Sequence, residues 1–167
     1  MENDIRILFH DNKTIVEINN ILFSGKRRIN WDGVEEYLKG YIGKSYVIKD
    51  TGDEIFIGSD FPDEYAHSKY SAKIYGAIAK AKSNASQAIA ELIQFATEVT
   101  YRPNLEQKHM NDAINGWYRC TVFFSIPKLD DKGNVMGKNV FRGRLIIRCN
   151  KDKKKYLYDI IDIKKET

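Results

Sequence analysis

The chain has 167 residues, of which 43% are hydrophobic and 30% are charged, and this length and composition predict a single globular domain spanning residues 1–167. No apolar run approaches the roughly 18 residues of a membrane span, and no secretion signal opens the chain, so we expect a cytoplasmic protein without membrane contact. The net charge of +4 is uneven: residues 1–100 contain 12 Lys and Arg against 15 Asp and Glu, whereas residues 101–167 contain 15 against 8. A polyanion would therefore bind the C-terminal third.

The N-terminal third alternates short β-rich runs with turns. Residues 4–23 predict a β-hairpin because two β-rich runs flank a polar turn. Asn30 or Asp32 could cap a short helix over residues 34–41. A second hairpin is predicted at residues 44–58, around a central Asp-Thr-Gly-Asp turn.

The strongest helical signal extends from about residue 63 to residue 100. Apolar residues recur there at three- and four-residue spacing, which predicts a helical layer. Asn84 and Gln87 have the spacing of a capping box, so this layer could consist of two helices. The segment 103–116 is either a short helix or an ordered loop.

Three β-rich runs follow, at residues 117–127, 140–150 and 155–163. Short polar segments separate them, so they predict an antiparallel β-meander over residues 117–163. Strands and helices occur in separate blocks of the chain, which is typical of the α+β class. We therefore expect helices packed on one face of an antiparallel sheet, with no second domain.

The strand FRGRLIIRC, residues 141–149, has two different faces. Successive strand residues point to opposite sides of a sheet, so Leu145, Ile147 and Cys149 are expected to face the helices. Guanidinium groups bind phosphate bidentately and aromatic rings stack on unpaired bases, so the other face suits single-stranded RNA. An exposed sheet face also needs polar residues simply for solvation, and the pattern leaves both explanations open. Four arginines are expected to share this open face: Arg119, Arg142, Arg144 and Arg148.

Histidines and a lysine-rich helix face are the other candidates for chemistry. His67 and His109 are acid–base candidates, because the ordinary imidazole pKa lies near neutrality and metal-independent RNA cleavage needs a base and an acid. Each histidine could equally be a surface or capping residue. Lys69 belongs to a lysine-rich helix face, for which solvation is the simplest explanation.

Several functional classes lack their motifs. The sequence contains no GxxxxGK[ST], GxGxxG, HExxH or GxSxG, which disfavours P-loop enzymes, Rossmann dehydrogenases, zincins and serine hydrolases. Cys120 and Cys149 belong to no CxxC or Cys/His cluster, so we expect buried free thiols. These observations predict a site that uses no cofactor and no metal.

Six short motifs follow one another between about Val34 and the end of the chain, over about 130 residues. They are KDTGDEIFI (49–57), HSKY (67–70), KH (108–109), GWYR (116–119), GRLIIR (143–148) and YLYDIIDIKKE (156–166). In the order of these motifs the chain resembles the barnase, EndoU, colicin and RelE-like nuclease domains of phage-associated and mobile-element polyvalent proteins.

The resemblance implies a barnase/RelE-like fold whose open sheet face holds RNA, and a metal-independent endoribonuclease of the toxin type. It implies that His67 and His109 act as acid and base, and that Tyr158 corresponds to the strand tyrosine of RelE-like members. The implied partners are RNA, such as tRNA or mRNA, and an immunity or antitoxin protein. The alternative is a catalytically inactive nucleic-acid- or protein-binding module of the same fold. The predicted RNA-phosphate contacts are Lys69, Arg119, Arg142, Arg144 and Arg148.

Overall fold

The structure is a computed structural model that describes residues 4–25, 28–104 and 113–166. Helices and a curled, open sheet of eight strands make up the described residues, which confirms the α+β class. His109 and most of the predicted 103–116 segment lie outside the described residues. The barnase/RelE-like version of the fold and the single-domain boundaries stay predictions.

The N-terminal hairpin is present, but its second strand ends at Ile18 rather than at residue 23. Strands β1 (Ile5–His10) and β2 (Lys13–Ile18) pair antiparallel across a two-residue turn. Asp11 and Asn12 have φ values of 49° and 62° in this turn. Two-residue hairpin turns require this left-handed backbone, and Asp and Asn adopt it more readily than most residues.

A short helix and a second hairpin follow, close to their predicted positions. Helix α1 (Trp31–Leu38) begins after Asn30, whose side chain accepts a hydrogen bond from the Gly33 backbone N–H at 3.0 Å. Asn30 is therefore the cap, and Asp32 lies in the first turn. The second hairpin consists of β3 (Ser45–Val47) and β4 (Glu54–Phe56), which pair antiparallel.

The helical layer begins at residue 61 and ends earlier than predicted. Residues 97–102 form strand β5 (Thr97–Arg102) rather than the end of a helix. The reason lies in the sequence TEVTYR, whose β-branched and aromatic residues favour a strand that pairs with its neighbour. The layer itself contains four α-helices: α2 (Phe61–His67), α3 (Lys69–Lys73), α4 (Gly76–Ala85) and α5 (Ile89–Gln94).

Asn84 has a different role from the predicted helix cap. Its side-chain oxygen accepts hydrogen bonds from the backbone N–H groups of Leu22 and Phe23 at 2.8 and 3.1 Å. Its amide nitrogen donates to the Phe23 carbonyl at 2.9 Å. The capping-box prediction is thus wrong: buried Asn84 attaches the segment after β2 to the helical layer.

Replacing Asn84 by alanine should lower the free energy of unfolding by about 2–4 kcal/mol. The change leaves two backbone N–H groups without their acceptor, and each buried unsatisfied group costs about 1–3 kcal/mol. Urea denaturation would measure this loss. Asn20→Ala is the control, because Asn20 is exposed and its replacement should cost no more than about 0.5 kcal/mol. A loss below about 1 kcal/mol for Asn84→Ala would contradict the proposed role.

The sheet is mixed rather than antiparallel. Strands β6 (Trp117–Leu129), β7 (Val135–Cys149) and β8 (Lys155–Lys165) pair antiparallel in chain order. Strand β2, however, pairs parallel with β6, and β4 pairs parallel with β8. Parallel neighbouring strands must be joined by long connections, and here those connections contain the helical layer. The prediction of an all-antiparallel sheet is therefore wrong.

One edge of β6 has two neighbours placed end to end. Strand β2 pairs with residues 123–125, and β5 pairs antiparallel with residues 117–121. The strand order is β1-β2-β6-β7-β8-β4-β3, with β5 beside the first half of β6. This arrangement brings β5 next to the arginine-bearing part of the sheet.

The core lies between the helical layer and the inward face of the sheet. Leu145, Ile147 and Cys149 are buried there, which confirms the predicted inward face of β7. Both cysteines are buried free thiols, as expected. None of the helices in the described ranges is long and apolar enough to cross a membrane. Alternate residues of β6 are buried in this core as well: Cys120, Val122, Phe124 and Ile126.

A buried ion pair connects helix α4 with strand β8. Lys82 Nζ lies 2.6 Å from Asp159 Oδ1 and donates a further hydrogen bond to Ser71 Oγ at 2.7 Å. Burial raises the pKa of Asp159 to about 6 and lowers the pKa of Lys82, while their mutual attraction opposes both shifts. Strand β8 has an extra residue relative to β7 at this point, so Asp159 and Ile160 are both buried although they are consecutive.

Candidate functional site

The open face of the sheet contains two adjoining hollows, of about 190 and 320 Å³. Both hollows share Glu98, Thr121 and Arg144. Together they form one groove across strands β5 to β8, which we call the open-face groove. Its charged residues are Glu98, Arg102, Arg119, Arg142, Arg144, Asp162 and Lys164.

Strand register explains why arginines from three strands meet in this groove. Thr121 of β6 lies directly opposite Arg144 of β7. Arg119 lies two residues from Thr121 on the same face, at a spacing of about 6.8 Å. Arg119 is also opposite Thr100 of β5, and Arg102 lies two residues further along that strand. Alternation within each strand and pairing between strands therefore place these guanidinium groups side by side.

Positive charge in the groove exceeds the negative charge that faces it. The groove has five cationic side chains and two carboxylates among its lining residues. Arg144 Nη1 donates to Asp162 Oδ2 at 3.3 Å, and this pair is half-exposed. The groove therefore presents an electropositive surface to solvent.

Arg119 lies at the centre of this charge. Burial, followed by the like charges of Arg102 and Arg144, lowers the pKa of Arg119, and Asp162 opposes the shift. The buried Nε of Arg119 has no hydrogen-bond partner within the described ranges of the chain. A buried guanidinium nitrogen normally has a hydrogen-bond acceptor, so this position suits a bound phosphate or carboxylate.

Glu98 is exposed and lines both hollows of the groove. Its φ of 54° is unusual for a non-glycine residue. The strain coincides with a register shift between Thr97 and Thr100, where β5 departs from regular pairing with β6. Strained backbone and bulges often occur at functional sites, where they direct a side chain. Here they accompany a carboxylate among arginines.

Arg148 shares the strand but not the groove. Its Nη2 donates to both Asp60 carboxylate oxygens at 3.2 Å, and its guanidinium carbon lies 4.6 Å from the centre of the Tyr156 ring. Only 8% of Arg148 is exposed, and the buried Ile146 separates it from Arg144. A phosphate contact by Arg148 stays a prediction, and it would compete with Asp60.

Aromatic side chains adjoin the groove on the same side of the sheet. The ring of Trp117 meets the ring of Tyr158 edge to face, with their centres 5.1 Å apart. Trp117 is also opposite Arg102 and two residues from Arg119. The structure thus places Tyr158 next to Trp117, and its catalytic role stays a prediction.

The remaining predicted residues lie elsewhere. His67 Nε2, at the end of α2, lies 3.2 Å from Asp32 Oδ1 and 3.1 Å from Glu35 Oε1 of α1. Lys69 is exposed at the start of α3. Neither residue lines the open-face groove, so the structure does not unite His67 with the groove arginines. Arg142 and Arg144 do line it, together with Arg119.

Sequence reasoning missed Glu98, Arg102, Asp162 and Lys164 as groove residues. The sequence predicts a helix at Glu98, and Arg102 lies between the predicted helical layer and the segment 103–116. The β-branched residues of TEVTYR could have indicated a strand, and a strand ending in arginine would then have joined the other basic strands. Lys164 and Asp162 belong to β8, whose inward face the alternation alone did not identify.

The chain was compared with protein-family models, curated proteins and solved structures. No match was found. The resemblance to nuclease domains therefore stays a prediction.

Proposed function

We propose that the protein binds RNA on the open sheet face and holds backbone phosphates in the open-face groove. One observation carries this proposal: Arg119 is partly buried between Arg102 and Arg144, and its Nε has no partner among the described residues. A phosphate would relieve the repulsion between these guanidinium groups and accept their hydrogen bonds.

Single-stranded RNA fits this face better than a duplex. Trp117 and Tyr158 place aromatic rings beside the arginines, and unpaired bases stack on such rings. Phosphates in the groove and bases on the adjoining rings would together fix the direction of the strand. The cytoplasmic location and an immunity or antitoxin partner also stay predictions.

The proposed activity is metal-independent endoribonucleolytic cleavage. Glu98 would accept the proton of a ribose 2′-hydroxyl, and the 2′-oxygen would then attack the adjacent phosphorus. The groove arginines would stabilise the negative charge of the phosphorane. The leaving 5′-oxygen needs a proton, for which His109 is the candidate from the sequence. The products would carry a 2′,3′-cyclic phosphate and a 5′-hydroxyl.

RNA affinity tests the binding step. Arg119→Ala and Arg144→Ala should each weaken binding of a fluorescent single-stranded RNA about 10- to 100-fold, since a charge-assisted hydrogen bond contributes about 1.5–3 kcal/mol. The slope of log K against log salt should become shallower by about 0.7 for each lost phosphate contact. The control is Arg28→Ala, because Arg28 is exposed and does not line the groove. Equal losses for all three variants would refute the site.

A binding module without cleavage is the second candidate. One observation favours it: within the described residues, no histidine lines the groove. This candidate predicts salt-sensitive RNA binding with no products after incubation in EDTA. Cleavage in EDTA that Arg119→Ala abolishes would favour the nuclease instead.

A further inference from the structure

A second cluster of reactive side chains lies in the helical layer, apart from the open-face groove. Asp32 and Glu35 are three residues apart on α1, so they share one face of that helix. His67, at the end of α2, brings its Nε2 within 3.2 Å of Asp32 Oδ1 and 3.1 Å of Glu35 Oε1. All three ligand atoms lie within 4.8 Å of one another.

We propose that Asp32, Glu35 and His67 bind a zinc ion. Imidazole nitrogen and carboxylate oxygen are both common zinc ligands, with bonds of about 2.0–2.2 Å. In a tetrahedral site, such bonds separate neighbouring ligand atoms by about 3.3–3.5 Å. The distances from His67 Nε2 to the two carboxylate oxygens are within a few tenths of an ångström of that ligand-to-ligand separation.

The donor set also selects among metals. Mg²⁺ and Ca²⁺ prefer sites made of oxygen ligands, whereas imidazole suits zinc and other transition metals. Three protein ligands leave the fourth position of a zinc ion to water. The cluster therefore predicts discrimination between Zn²⁺ and Mg²⁺.

The exposure of the three side chains indicates how such an ion would reach the site and how it would affect stability. The Asp32 side chain is 90% exposed and can turn, whereas the side chains of Glu35 and His67 are only 26% and 38% exposed. The ion would bridge two helices whose ligands lie 32 residues apart in the chain, from Glu35 to His67. Binding would thus hold α1 against α2 and stabilise the folded state.

Zinc binding to the full chain tests the inference. The protein is stripped with EDTA, dialysed and titrated with ZnCl₂, while calorimetry follows binding and a thermal scan follows Tm. We expect one zinc ion per chain and a Tm that rises with zinc, with no rise from MgCl₂. His67→Ala should weaken binding by at least 10- to 100-fold, the cost of losing even an outer-shell partner.

Two further variants test whether a loss of zinc binding comes from misfolding and whether zinc binds at another place on the chain. Asp32→Asn changes a side chain that is almost fully exposed, so it should preserve the fold and still weaken zinc binding. His10→Ala removes an exposed histidine that lies 3.2 Å from the Asp11 carboxylate, and this variant should bind zinc like the wild type. The inference is wrong if the wild type takes up no zinc, or if His67→Ala binds it equally well. RNA cleavage in EDTA would be unaffected, so the two proposals fail separately.

Discussion

Lys82→Met is expected to lower the free energy of unfolding by about 3–5 kcal/mol, because it leaves the Asp159 carboxylate buried without a countercharge. The Lys82 side chain is fully buried, that of Asp159 is 5% exposed, and their charged atoms lie 2.6 Å apart. Water therefore has little access to replace the lost ammonium group. Urea denaturation followed by circular dichroism would measure the loss.

The double variant Lys82→Met, Asp159→Asn separates the charge effect from packing. It removes both buried charges, so it should recover most of the stability that the single change loses. Lys73→Met is the matched control, since Lys73 is exposed and its replacement should change stability by no more than about 0.5 kcal/mol. If the double variant were as unstable as Lys82→Met, packing rather than charge would explain the loss.

Glu98→Gln is expected to slow RNA cleavage about 100- to 10,000-fold, the usual contribution of a general base. Glutamine keeps the shape of the side chain but is a far weaker proton acceptor, so the chemical step is affected first. RNA affinity should stay unchanged or increase, because the change removes a negative charge from the groove. Single-turnover cleavage in EDTA and a separate binding titration would measure the two effects.

A control variant and a product analysis sharpen this experiment. Glu36→Gln alters an exposed glutamate on α1 and should leave cleavage unchanged. The wild-type products should end in a 2′,3′-cyclic phosphate. Full activity in Glu98→Gln would exclude Glu98 as the base, and a wild type without products would leave the binding module as the function.

Local sequence patterns predicted the parts of the fold that depend on interactions between residues close in the chain. Alternation identified the buried face of β7, and Asn30 was one of two candidate caps for α1, because an asparagine side chain satisfies a free N–H at a helix start. Arg119, Arg142 and Arg144 were placed correctly on one face for the same reason. These features depend on residues that are close in the chain.

Features that depend on distant partners could not be predicted in this way. Arg148 has the same alternation as its neighbours, yet it pairs with Asp60, which lies 88 residues earlier. The buried Lys82 and Asp159 are 77 residues apart, and neither is identified by its own surroundings in the sequence. Glu98 lines the groove only because β5 pairs with β6. Tertiary packing, rather than propensity, decides each of these positions.

The two parallel pairings also affect how the chain assembles during synthesis. Ile15 pairs with Phe123, and Ile55 pairs with Lys155, so both N-terminal hairpins find their place in the sheet only when the last third of the chain has been made. Contacts between such distant residues slow folding, because a long loop must close first. Until β6 and β8 have been synthesised, β2 and β4 each have one edge without its strand neighbour, so assembly of this sheet ends at its centre.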